Sequence, residues 1–308
     1  MMERMYQVLR PASHRFVPIR QLRAHVLEWG TPQGQKPPLV LCHGWMDVAA
    51  SWQFMVDAFG EAFLQDRWIV AMDWRGYGLT ESPRTDSYWF PDYLADLDAL
   101  LDALQITQPI DLVGHSMGGN VVMLYAAARP QRIRRLINLE GFGLGPTRPA
   151  QAPRRLTQWL DELQSLQRGE QDLRDYPDQA GVVQRLMKNN RRLTEDRAAW
   201  LALHWAKPDA QGRWRILGDA AHKVINPYLS REDETLAIYA AIEAPVLAVQ
   251  GSDDSLGQWW KGRYTLEMYL ERLRHVRQCE QVQLDDCGHM LHHDQPQALA
   301  TLIERFVA

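Results

Sequence analysis

The chain has no long apolar run. None approaches the roughly 20 residues that a helix needs to cross a bilayer, so no membrane span is expected. Cysteine is scarce: Cys42, Cys279 and Cys287, an odd number with no C-x-x-C spacing. That pattern argues against a disulfide framework or a thiolate metal site and reads as reduced thiols. Charge of one sign is not in excess. The formal net charge of −4 gives no reason to expect nucleic acid or an acidic membrane surface as partner. Residues 1–16 carry charges and no apolar core segment, so no signal peptide is read and a cytoplasmic location is expected. Internal repeats and low-complexity segments are also missing.

What is present is a rhythm of short apolar runs and helical periodicities. Hydrophobic residues make up 46% of the chain, enough for a large core, and 308 residues suit one α/β unit carrying an insertion as well as two domains. Residues 15–29 alternate loosely, as a hairpin does. Leu39-Val40-Leu41-Cys42, Trp68-Ile69-Val70-Ala71-Met72, Ile110-Asp111-Leu112-Val113, Leu136-Ile137-Asn138-Leu139, Val246-Leu247-Ala248-Val249 and Gln281-Val282-Gln283-Leu284 read as strands, most of them buried on both faces. Between them, Leu94, Leu97, Leu101 and Leu104 follow Pro91 at helical spacing. Leu266, Tyr269, Leu270 and Leu273 do the same later, and Leu299, Leu302, Ile303 and Phe306 close the chain. Ser230 to Asp233 reads as a capping box opening another helix.

Alternating strands and helices imply a mainly parallel sheet covered on both faces. From about 145 to 228 the rhythm breaks. No strand signal appears there, and Leu156, Trp159, Leu160 and Leu163, then Trp200, Leu201, His204 and Trp205, sit at helical spacing. The expected organisation is a core of residues 1–144 and 229–308 interrupted by a helical cap at 145–228.

Within this frame Gly114-His115-Ser116-Met117-Gly118 joins a strand to a helix through a very short turn. Gly-x-Ser-x-Gly in that context is a nucleophile elbow. The turn strains Ser116 and thrusts its hydroxyl out at the carboxyl end of the sheet. A Cβ at 114 or 118 would collide with it. The Met117 amide, at the positive end of the following helix, points to where an oxyanion would form. His43-Gly44, Ser116, Glu140, Asp253-Asp254 and His289 all fall at strand ends, where chemistry collects in such sheets.

Four motifs together resemble the α/β-hydrolase superfamily: His43-Gly44-Trp45, Asp73-Trp74-Arg75-Gly76-Tyr77-Gly78, the 114–118 elbow and Gly288-His289. The resemblance covers nearly everything except the cap. It implies an α/β-hydrolase fold with a Ser, acid, His chain order. It makes Ser116 the nucleophile and His289 its base. Asp254, three residues past Gly251, becomes the acid that orients the imidazole. Asp253 is its neighbouring rival, and Glu140 a further one, since some relatives place the acid after the preceding strand. The family pattern adds the Trp45 amide to that of Met117 as oxyanion donors. His43 is expected to hold the oxyanion loop or border the pocket. His115 is read as packing or pocket wall. Trp159, Trp200, Trp205 and the Trp259-Trp260 pair are read equally as pocket wall and as packing between cap and sheet.

His292-His293-Asp294 offers too few ligands at suitable spacing for a metal, so no metal and no cofactor is expected. Arg134-Arg135 and Arg191-Arg192 read as solvated faces. A serine at 116 argues against the carboxylate-nucleophile epoxide hydrolases and haloalkane dehalogenases. His115 and Met117 depart from the elbow of proline iminopeptidases. Residues 139–143 and Asn226-Pro227 resemble the serine-hydrolase-like branch. The expected activity is hydrolysis of a small carboxylic ester through an acyl-enzyme, with an apolar or aromatic acyl group. A carbon–carbon hydrolase of ring-cleavage products and a low-turnover binding protein of the same fold are the alternatives.

Overall fold

The computed structural model describes residues 5–308. Of residues 1–16, read above as lacking a signal segment, the first four lie outside the described residues. Strands β1 (Ser13–Ile19) and β2 (Leu22–Trp29) form the expected hairpin, and β3 (Leu39–Cys42) and β4 (Ile69–Met72) follow. Between these last two lie α1 (Gln53–Ala58) and the single turn α2 (Glu61–Leu64). After α3 (Pro91–Ala103), with Pro91 in its first turn, come β5 (Ile110–His115), α4 (Met117–Ala128) and β6 (Ile133–Leu139).

The insertion holds α5 (Ala152–Gln167), α6 (Gln179–Asn189) and α7 (Glu195–Trp205). It also holds a hairpin of β7 (Ala206–Pro208) and β8 (Trp214–Ile216), which corrects the reading of a purely helical segment. These strands are three residues each, and one contains Pro208, so they leave no periodic signal. The core resumes with α8 (Glu232–Ala241), β9 (Val246–Gly251), α9 (Ser255–Trp260), α10 (Leu266–Leu273) and β10 (Cys279–Leu284), and ends with α11 (Leu291–Asp294) and α12 (Pro296–Val307). The capping box expected at Ser230 does not form. Arg231 occupies the N-cap of α8 without a side-chain bond, and the Ser230 carbonyl accepts from Thr147 instead.

Among the described residues one eight-stranded sheet runs β1-β2-β4-β3-β5-β6-β9-β10, and only β2 runs antiparallel to its neighbours. Helices cover both faces and divide the core in two. One half packs α3, α4, α8 and α10 against residues such as Val40, Leu112 and Leu136. The other packs α1, α12 and the cap helices α6 and α7 against Leu41, Val113, Ile137 and Leu247. Because β5, β6 and β9 run parallel in near register, with His115 opposite Leu139 and Leu139 opposite Val249, their carboxyl ends finish at one level. The loops carrying Ser116, Glu140 and Ser252 therefore emerge side by side.

Two arginines read as solvated faces make ion pairs, Arg134 half-buried and Arg192 exposed. Arg134 forks onto Asp111 (2.8 and 2.7 Å), a buried carboxylate that also accepts from Arg67 at 2.9 Å. Arg192 reaches from the cap to both oxygens of Asp253 (2.6 and 3.2 Å) and to Asp286 (3.1 Å).

Candidate active site

Ser116 has φ 53° and ψ −115°, outside the ordinary regions for a residue with a side chain. Two close approaches hold it there. A Cβ at Gly118 would lie 2.2 Å from the Cys42 carbonyl oxygen, and one at Gly114 would lie 2.4 Å from that of Gly118. The obstruction at 118 thus comes from the end of β3 as well as from the turn. The Ser116 amide donates to the Leu139 carbonyl (2.8 Å), which ties the elbow to β6. Met117 opens α4, and an N–H in that first turn has no intrahelical acceptor.

His289 follows β10. Its Nδ1–H donates to Oε2 of Glu140 at 2.7 Å. Glu140 Oε1 accepts from the Gly251 amide at 2.8 Å, and Ser255 adds a hydroxyl contact. Glu140 is 3% exposed and has a φ of 50°, a second strained residue at a strand end. Burial pushes its carboxyl upward and the His289 imidazole downward. The imidazole is the neutral member of the pair, because hydrogen bonds from His289, Gly251 and Ser255 all favour the Glu140 anion. His289 is accordingly a neutral ring with Nδ1 protonated, leaving Nε2 as the acceptor.

This arrangement corrects the choice of acid. Asp254 is the N-cap of α9, and its Oδ1 accepts from the Gly257 amide at 2.7 Å. Asp253 is held by Arg192, which keeps its carboxyl below the usual range. Three residues past Gly251 the chain has already turned into a helix, so that carboxylate is spent on capping. Among the described residues the carboxylate bonded to His289 is Glu140.

Ser116 and His289 line one cavity of about 420 Å³. No hydrogen bond joins them in this state, and such contacts tighten when a substrate enters. The wall is mixed. Trp45, Met46, Leu186, Leu201, Trp205 and Ile216 supply apolar surface, and Arg174, Arg185 and Lys223 supply cations. The Trp205 indole N–H donates to the Met46 carbonyl (2.9 Å), fixing a cap helix to the loop after β3.

Other expected pocket residues lie elsewhere. Trp159 sits on α5 and is not part of the wall. Trp259 packs edge-on against His289, with ring centres 4.3 Å apart. His43 is fully buried. Its Nδ1–H donates to the Gly44 carbonyl (2.8 Å) and its Nε2 accepts from the Trp74 amide (3.0 Å), so it braces the loop. Glu140 stands behind His289 rather than at the cavity. His115 does line the cavity, and its Nε2–H donates to the His289 carbonyl at 2.7 Å. The elbow and the histidine loop are thereby linked directly.

The structure also gathers residues that the sequence reading kept apart. Asp47, His115 and His292 each offer a ligand atom within 4.8 Å of the others, all buried. Ser51 Oγ bridges His292 (3.1 Å) and His293 (2.6 Å). Asp47 carries no motif. The visible signals were the paired histidines and a histidine beside the nucleophile.

The chain matches the family described as alpha/beta hydrolase fold over residues 37–296, and it belongs to that family. It is 28% identical over 251 residues to the serine hydrolase-like protein of Danio rerio, covering 77% of this chain and 70% of that one. To serine hydrolase-like protein 2 of Homo sapiens it is 26% identical over 292 residues, covering 91% and 88%. Among solved structures it superposes on the thioesterase domain from the curacin biosynthetic pathway with a TM-score of 0.79 and 26% identity, over 95% of this chain and 99% of that one. The expected fold is the observed one, and membership supports hydrolase activity.

Proposed function

We propose that the protein is a serine hydrolase that cleaves carboxylic esters through an acyl-enzyme, with Ser116 as nucleophile, His289 as base and Glu140 as the orienting acid. The observation that carries this reading is the 2.7 Å bond from His289 Nδ1 to Glu140 behind a cavity shared with a strained serine. His289 Nε2 takes the Ser116 proton as the oxygen attacks the ester carbonyl. Glu140 stabilises the resulting imidazolium. The Met117 and Trp45 amides receive the oxyanion. The imidazolium then protonates the departing alkoxide. Water, deprotonated by the same ring, releases the acid and restores Ser116. The apolar stretch of wall from Trp45 to Ile216 favours an apolar acyl group.

The test is initial rates on p-nitrophenyl esters of increasing acyl length, beside Ser116→Ala. Likeness to a thioesterase domain makes matched acyl thioesters the second arm. A rate optimum at one acyl length that disappears in Ser116→Ala supports the reading. Turnover that survives Ser116→Ala, or none on either series, overturns it. In the latter case a ring-cleavage product is the next substrate.

A further inference from the structure

We propose that Asp47, His115 and His292 form a binding site for a divalent transition-metal ion of borderline softness directly beneath the nucleophile elbow, and that filling it inhibits the enzyme. The donor set is two imidazoles and one carboxylate, which suits ions such as Zn²⁺ or Cu²⁺ rather than Mg²⁺ or Ca²⁺. His115 is 1% exposed, His292 0% and Asp47 6%. Two of the three donors are visibly unspent. His115 donates through Nε2 to the His289 carbonyl, so its Nδ1 carries a bare lone pair, and that buried atom has no hydrogen-bond partner. Asp47 accepts from the Val48 amide through Oδ1, while its buried Oδ2 has no partner. His292 Nε2 lies 3.8 Å from that oxygen and now contacts Ser51 Oγ (3.1 Å), a bond that the ion would replace. Unsatisfied buried acceptors are costly, and two converging on one point with a third ring nitrogen nearby call for a shared occupant. Asp47 and His115 also line the cavity, which gives the ion a way in and leaves an open position for water.

Inhibition follows from the geometry. Ligand atoms around a tetrahedral ion with bonds near 2.1 Å stand about 3.4 Å apart. The three donors, spread over as much as 4.8 Å, must close in. His115 precedes Ser116 and holds the His289 carbonyl, so its movement displaces both nucleophile and base. Misplacements of about 1 Å are enough to cost large factors in rate.

The experiment is calorimetric titration of the full chain, freed of metal by a chelator, with Zn²⁺. The expected result is one Zn²⁺ per chain, bound at least about tenfold more weakly by Asp47→Asn and by His292→Gln. Ser116→Ala, which removes the proposed nucleophile, is expected to bind Zn²⁺ as the wild type does, so binding is read apart from any turnover. Where ester hydrolysis is present, Zn²⁺ lowers it with the midpoint of the titration. Absence of binding overturns the proposal. Equal binding by Asp47→Asn and His292→Gln also overturns it, by placing the ion elsewhere. Anomalous diffraction from a Zn²⁺-soaked wild-type crystal decides the matter if a variant fails to fold: a peak between the three residues supports the site, and a peak elsewhere or none refutes it.

Discussion

Two loops leave neighbouring strands at the same level of the sheet and both offer carboxylates. After β9 the chain runs Gly251-Ser252-Asp253-Asp254 and enters a helix at once. Its two carboxylates are claimed by a helix amide and by an arginine of the cap, and both face solvent. After β6 the chain runs Glu140-Gly141, and Asn138 clasps Gly141 at both ends, accepting from its amide (2.8 Å) and donating to its carbonyl (3.0 Å). That clasp holds the turn so that a buried glutamate points across the strand ends at His289. An acid that must orient an imidazole needs a dry, fixed carboxylate. Glu140 reaches His289 from β6, one strand farther from β10 than β9 is.

The sharpest break of this comparison comes from the serine itself. Ser116→Ala is expected to lower kcat/KM by roughly 10⁴-fold or more, with folding unchanged by circular dichroism. Next, Glu140→Gln keeps the side-chain shape but offers the imidazole an amide, and a fall of roughly 10³- to 10⁴-fold in kcat is expected. A mild effect there together with a severe one in Asp254→Asn would return the acid to the β9 loop. A smaller effect concerns pH. Burial lowers the imidazole below its ordinary value of 6.5. Turnover requires the neutral ring, so activity is full above the lowered value and lost as pH falls through it. The acid limb of kcat/KM against pH is thus expected below pH 6.5, and a limb above it would deny the burial effect. The smallest change is Asp254→Ala. Loss of a helix cap costs about 1 kcal/mol, read as a lower Tm, while kcat changes by about twofold or less.

Much of the frame was legible before the structure. Most of the strands are apolar enough on both faces to announce a parallel sheet. The elbow carries its own geometry in the spacing of Gly114, Ser116 and Gly118. That His289 pairs with Glu140 rather than with Asp254 was not legible, because both candidate loops end strands and differ only in what their side chains meet. Nothing in Asp254 reveals that the chain turns helical at Ser255 and uses the carboxylate as a cap. The strain at Glu140 belongs to a backbone angle, which no residue type at that position announces. The cluster of Asp47, His115 and His292 is tertiary in origin, drawn from the loop after β3, the end of β5 and α11, far apart in the chain. The reading of Arg134 as a solvated face failed for a related reason, whereas Arg192 is exposed as expected and pairs with carboxylates as well. Long side chains travel far enough to meet carboxylates that periodicity assigns to other elements.

Arg192 has one more consequence. Its pairs with Asp253 and Asp286, and the bond from Asn190 to Asp294 (2.7 Å), tie the end of α6 in the cap to the loops around His289. These ion pairs are partly open to water, so dissolved ions weaken them over distances of roughly 8 Å at physiological salt. The hold of the cap on the catalytic side of the core is therefore set in part by the ionic medium. Salinity around the protein weakens one tie between the insertion and the core while leaving the residues that line the cavity as they are.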